Sequence, residues 1–208
     1  MNLPTHRVAE DTTTRDRILE AARPLFARNG FDGTSVRDIT AAAGVNLAAV
    51  TYHFETKQQL YLALLEQIMQ PIAERLVQAT MGEGTPLDKI ERVVRAFFDK
   101  VRENPDLASF IVREMVAGGT PSKPLVDTWK RQLPAVVGVL TEGQRLGQIR
   151  PGDPILLALS TMAQPVYLNL ARPGIAAVAG FDPNDPAIFE RIVDHCVMIV
   201  RAALEHRP

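Results

Sequence analysis

Residues 34–54 of the 208-residue chain set two short helical runs on either side of one glycine, a pattern that few folds can absorb. Thr34 or Ser35 can open the first run, which carries Val36, Ile39, Ala42 and Ala43; Asn46 can cap a second that ends at Phe54. The three alanines before Gly44 let two helices approach closely, and Gly44 can take the positive φ that turns the chain sharply. Two short helices joined by a tight glycine turn make a helix-turn-helix. Val45, Val50 and Phe54 then face inward, toward Val36, Ile39 and the Leu25–Phe26 pair of a preceding helix.

That packing leaves Leu47, Ala48, Thr51, Tyr52 and His53 on the outer face of the second helix. Small residues early in such a helix let its backbone sit deep in a major groove. Leu47, Ala48 or the Thr51 methyl can touch a thymine methyl, and the Thr51 hydroxyl can bond either base type. Tyr52 and His53 suit phosphate oxygens or the sugar edge. Residues 46–53, beginning with Asn46, would enter the groove, while Arg37, Thr40, Thr56 and Lys57 would hold the DNA backbone. Lys57 is the strongest phosphate candidate, because helix dipole and ammonium act together at a helix start. Packing alone can also explain such a trihelical unit, and Tyr52 and His53 can each serve it. His53 has no partner at metal-ligand spacing, and no metal or cofactor is expected.

Charge neither supports nor opposes this reading. The net formal charge is −1, and the first 60 residues hold seven Lys/Arg and seven Asp/Glu. The case rests on geometry. Cys196 is the sole cysteine, which excludes an intrachain disulfide and a thiolate zinc cluster. The N-terminus lacks the apolar core of a signal peptide, and no uninterrupted apolar run approaches bilayer length. A cytoplasmic protein with no membrane partner is the expectation.

The rest of the chain has helical periodicity and no strand alternation, which predicts an all-α fold of about nine helices. Residues 1–12 are polar and are expected to form a flexible arm. Thr13 or Thr14 can then cap a helix bearing Ile18, Ala21, Ala22, Leu25 and Phe26, with Gly30 as its C-terminal cap. Thr56 caps a long helix with Leu60, Leu64, Ile68, Ile72 and Leu76 on one face and a kink expected at Pro71. Residues 81–85 form a linker, and helices follow over 86–103, 107–117 and 123–146. Asp153-Pro154 and Asp185-Pro186 open two apolar helices, about 155–171 and 187–205, with the Gly/Pro-rich 173–186 between them. The domain reading is an arm over 1–12, a helix-turn-helix domain over 13–58 and a helical body over 59–208.

In the body, Phe97, Phe98, Phe110, Met115, Trp129, Met162 and Tyr167 can line a pocket between helices, with Arg113 orienting a ligand. For each apolar residue ordinary core is the favoured reading, and Arg113 can equally be solvated or paired. The two last helices are apolar over more than one face, so they must be covered on several sides. Leu156, Leu159, Val166, Ile192, Val193, Ile199 and Val200 are candidates for pairing with a second copy as a four-helix bundle. Adjacent His195 and Cys196 cannot share one helix face, and no triad, carboxylate pair or phosphate loop is present, so no enzyme is expected.

Over residues 14–62 the sequence resembles the tetracycline-repressor (TetR/AcrR) family of regulators. The resemblance is carried by Ile18-Leu19-Glu20-Ala21-Ala22 with Leu25-Phe26, Gly30-Phe31, Thr34 through Ile39, Ala43-Gly44-Val45, Tyr52-His53-Phe54, Lys57 and Leu60. It implies a homodimer, each N-terminal head reading half of a palindromic operator, with an effector pocket in the body and release of DNA on binding a small apolar or amphipathic effector. Where the family often has Ser or Thr, then Gly or Pro, after the turn, this chain has Asn46-Leu47-Ala48-Ala49. A helical protein-binding adaptor and a helical-bundle enzyme are the competing readings.

Overall fold

A computed structural model describes residues 5–206, with side-chain surroundings from Thr13 onward. Among them are nine helices: α1 (Thr5–Asn29), α2 (Val36–Ala43), α3 (Leu47–Phe54), α4 (Lys57–Thr80), α5 (Pro86–Glu103), α6 (Leu107–Val116), α7 (Lys123–Arg145), α8 (Pro154–Ala179) and α9 (Pro186–Leu204). The only extended pairing among the described residues is an isolated bridge between Ile149 and Glu205. There the Arg150 N–H donates to Leu204 O at 2.8 Å and the His206 N–H to Gln148 O at 3.0 Å, which ties the end of α9 to the α7–α8 loop.

Helix starts follow the capping chemistry of the sequence. Ser35, Asn46, Thr56, Thr85, Asp153 and Asp185 each accept a backbone N–H from the first turn they precede. Ser35 with Asp38, and Thr85 with Asp88, form reciprocal capping boxes. Asp88 also accepts from Arg201 of α9 at 3.1 Å, and hydrogen bonds from Thr85 and Arg201 hold its carboxyl at about 2.

The core follows the apolar stripes. Leu60, Leu64, Ile68, Ile72 and Leu76 of α4 are buried, as are Ile90, Val93, Val94, Phe97, Phe98 and Val101 of α5. Helix α4 runs unbroken across Pro71 and packs most extensively on α7 and α5, so it forms the axis that joins the N-terminal helices to the body. Burial pushes the Cys196 thiol up to about 11, in keeping with a packing role.

Three expectations are corrected. Residues 5–12, read as part of an arm, are the first turns of α1; residues 1–4 lie outside the described residues. A polar segment without a stripe can be helical when it extends a helix nucleated elsewhere, since each added residue gains a bond at little cost. Helix α8 continues past 171, through Pro173 and Gly174, and ends where Gly180 adopts φ 72° and donates to Ala176 O. A proline removes one backbone donor, and the alanines beyond it restore helical preference. Finally, α8 is long and apolar enough to cross a bilayer by length and composition, with Arg172 its one charged residue. Counting uninterrupted apolar residues hid this, because Ser160, Thr161, Gln164 and Asn169 punctuate the helix.

Gly143 of α7 lies under Ile149, and a Cβ there would come within 2.7 Å of Ile149 Cγ1 and 2.9 Å of Pro86 Cβ. Helix propensity favours alanine over glycine by about 1 kcal/mol, but overpacking costs roughly 1–3 kcal/mol. Gly143→Ala is therefore expected to destabilise the fold by about 1 kcal/mol in denaturant unfolding; a stabilised variant would contradict the close approach.

Candidate nucleic-acid interface

Gly44 stands in the left-handed region (φ 64°, ψ 38°) and turns the chain between α2 and α3. Val50 and Phe54 of α3 are buried with Ile18, Phe26 and Ile39, which anchors one side of this two-turn helix. The other side is open. Tyr52 is 70% exposed and Leu47 56%, with Ala48 and Thr51 also exposed, and these four line a shallow depression. Such exposure of large apolar groups beside a hydroxyl suits contact with another surface.

The other sequence candidates occupy distinct places around this face. Arg37 is exposed, and Thr40 is half-buried with its hydroxyl donating to Arg37 O at 2.9 Å. Asn46 spends its side-chain oxygen on the Ala49 N–H, and Thr56 its hydroxyl oxygen on the Gln59 N–H, as helix caps. The Thr51 hydroxyl donates to Leu47 O at 3.3 Å, a weak bond that it can exchange for an outside partner. His53 is half-buried, with its ring 5.0 Å from Tyr52 in an edge-on arrangement and 6.2 Å from Phe54.

Lys57 differs from expectation. Its ammonium donates to Phe31 O at 2.9 Å and Thr34 O at 3.1 Å, and lies 4.2 Å from the Phe31 ring centroid. Two of its three donors thus hold the α1–α2 loop against the start of α4, so it is not the free phosphate ligand its position suggested. Unpaired loop carbonyls within reach of a cation outcompete solvent.

The sequence reading missed two further supports. Arg17 donates to Ala43 O at 2.7 Å and Gly44 O at 3.3 Å, pinning α1 to the C-terminal end of α2. Glu55 sits at φ 60° and ψ −54° between α3 and α4, a strained γ-turn that only coordinates reveal. Carbonyls at a helix C-terminus with a basic residue elsewhere in the head are a signal, but sequence does not say which cation reaches which carbonyl.

Two sets of hydrogen bonds join this head to the body, and a third ties α4 to α6 beside them. Arg23 Nε donates to Asp106 at 2.8 Å, and its neighbouring nitrogen reaches Asn104 at 3.0 Å. Arg113 of α6 donates to Ala27 O and Arg28 O at the end of α1. Tyr61 of α4 donates to Glu114 at 2.9 Å, while Glu114 also accepts the Ser122 N–H. Burial first, then the nearby Glu114 charge, raises the Tyr61 pKa well above its ordinary value.

The body candidates do not converge. Phe97, Phe98 and Phe110 are core; Trp129 and Met162 are half-buried against it; Met115 and Tyr167 are exposed. Arg113 lines a head–body cleft of about 510 Å³ with Tyr61, Glu114 and Ser122, so the expected aromatic pocket is corrected. Helical period identifies an apolar face but does not distinguish a cavity wall from packed interior. Of the pairing candidates, Leu156, Leu159 and Ile199 are exposed and Val166 and Ile192 half-buried. Val193 and Val200 are buried inside the protomer and are corrected to core, since they sit on the α9 face turned toward α5.

Residues 18–64 match the family model described as bacterial regulatory proteins, tetR family, and residues 86–200 match the tetracyclin repressor-like C-terminal domain. The chain belongs to the tetR family. It is 27% identical over 194 residues to the HTH-type transcriptional regulator RutR of Escherichia coli K12, covering 91% of this chain and 90% of RutR. It is 25% identical to the HTH-type transcriptional repressor KstR2 of Mycolicibacterium smegmatis, covering 92% and 91%. The crystal structure of AibR in complex with isovaleryl coenzyme A and operator DNA superposes with a TM-score of 0.71 at 21% identity, covering 89% of this chain and 97% of that one. Membership makes this tetR-family chain a transcriptional regulator.

Lys57→Met keeps the stem and removes both carbonyl bonds. It is expected to cost about 1–3 kcal/mol of stability in the absence of DNA, measured by denaturant unfolding. An unchanged midpoint would return Lys57 to the role of a solvent-facing phosphate ligand.

Proposed function

We propose that this tetR-family regulator is a cytoplasmic homodimeric repressor that reads a palindromic operator and releases it when a small apolar or amphipathic effector binds the body. The carrying observation is the two-sided character of α3: Val50 and Phe54 locked beneath, Leu47, Ala48, Thr51 and Tyr52 bare above. Leu47, Ala48 and Thr51 read base edges and thymine methyls, while Arg37, Thr40, Asn46, Tyr52, His53 and Thr56 contact the sugar–phosphate backbone. Lys57 can add one phosphate bond with its remaining donor. A relative named as a repressor supports repression, and a structural neighbour in complex with isovaleryl coenzyme A and operator DNA supports a regulator that takes both a small molecule and DNA.

Residues 13–58 form the reading head and 59–208 the sensing and pairing body in this proposal. The second copy covers the bare apolar side chains of α8 and α9, among them Leu156, Leu159, Tyr167, Leu170, Met198 and Ile199. A two-fold pairing of these helices gives a four-helix bundle and sets the separation of the heads, with half-sites one or more turns of roughly 34–36 Å apart. Effector binding changes that separation through α4, aided by Arg23, Arg113 and Glu114, and DNA affinity falls by the effector's preference for the altered state.

Selection from a random duplex pool supplies the operator. On it, Tyr52→Ala is expected to weaken binding to selected and unselected duplexes alike by about tenfold. Thr51→Ala instead reduces the ratio between them, with a loss of roughly 1–3 kcal/mol at its base pair. Equal losses for Thr51→Ala on every duplex would contradict base reading.

Leu159→Glu places a charge in the proposed helix pairing and is expected to weaken dimerisation roughly hundredfold. Sedimentation would then show monomers with intact helicity and poor operator binding. A dimer that survives this substitution would place the pairing surface elsewhere.

A further inference from the structure

Between the C-terminal half of α8 and the first turns of α9 lies a cleft of about 780 Å³, separate from the aromatic residues considered above. Its walls are apolar, with Leu168, Ile175, Phe181, Ile188 and Ile192 among them; Ile192 is also one of the half-buried pairing candidates, so the cleft borders the face assigned to the second copy. Its polar lining is one-sided. Arg172, Arg191 and His195 enter it, and the sole acid, Asp194, is paired with Arg95 at 3.0 Å.

None of these three basic side chains has an acidic partner among the described residues. Arg191 and His195 are exposed at the rim. Arg172 is held deeper, its guanidinium 5.5 Å from the Phe189 ring centroid and its Nε buried without a hydrogen-bond partner. A buried donor with nothing to bond is costly unless something outside the chain completes it. Guanidinium groups take planar oxyanions in paired hydrogen bonds, and low-polarity walls strengthen that attraction. The volume lies within the roughly 300–1,000 Å³ of ordinary small-molecule sites.

We propose that this cleft binds an amphipathic anion, an acyl tail along the apolar walls with its carboxylate on Arg172 and Arg191. The charge pattern selects against two alternatives: a neutral lipid leaves both guanidinium groups unpaired, and an amphipathic cation meets like charge. The assignment deepens the effector reading above, and its link to DNA release rests on that reading. Binding itself does not, so it is measured on the full chain without DNA.

The probes are decanoate, decanol and decyltrimethylammonium, titrated calorimetrically into the purified protein. Decanoate is expected to bind saturably at one per protomer, weakening as salt rises, with decanol at least about tenfold weaker and the cation not binding. Arg191→Ala, at an exposed position that leaves the fold intact, is expected to weaken decanoate about tenfold, the share of one charge-assisted pair. Arg172→Gln is expected to do so more strongly, with unfolding and sedimentation confirming an intact dimer. Equal affinity for decanoate and decanol would overturn the proposal. So would Arg191→Ala and Arg172→Gln variants that keep decanoate binding while shifting the dimer to monomer, because the cleft would then be the seat of the second copy. Operator titration with and without decanoate then reads the regulatory consequence separately.

Discussion

Helices leave carbonyl groups unpaired at their C-terminal ends, and the head of this protein is assembled by cations that reach them. Arg17 closes the end of α2, Arg113 the end of α1, and Lys57 the loop that joins them. Each donor comes from another element, so each bond fixes an angle between elements as well as satisfying an acceptor. The orientation of α3 depends on all three. Val50 and Phe54 give it a floor, but a two-turn helix with two large anchors can rock; the cations around it fix the neighbours against which it packs.

This use of basic residues explains why charge balance said so little about DNA. Seven basic residues in the first 60 are matched by seven acidic ones, and several of the basic ones spend their donors inside the protein. What faces outward on α3 is a small, mostly uncharged surface of Leu47, Ala48, Thr51 and Tyr52. In the proposed reading, discrimination by such a surface comes from methyl contacts, a hydroxyl and fit, while affinity depends on backbone contacts from both heads of a dimer.

Much of the fold was legible from residues alone. Capping residues marked the starts of α2, α3, α4, α8 and α9, and the stripes of α4 and α5 matched burial residue by residue. Gly44 announced the turn because only a left-handed residue links two helices so tightly. What was not legible has common causes. Extension of α1 back to Thr5 and of α8 beyond Pro173 reflects propagation from stable neighbours, which leaves no local signature. The division of Val193 and Val200 from Ile199 depends on which helix faces meet, and a helix apolar nearly all round gives no phase. The carbonyl bonds of Lys57 were not legible because a helix start looks the same in sequence whether its cation points outward or at the chain's own carbonyls.

The central claim is that the bare face of α3 enters a major groove in both halves of a two-fold site. Methylation interference on a selected operator tests it most directly, because guanine N7 lies in the major groove and adenine N3 in the minor. The account predicts that guanine N7 methylation blocks binding in two symmetric patches about one or more helical turns apart, with adenine N3 methylation there having little effect. Interference confined to adenine N3, or one patch without a symmetric partner, would contradict it.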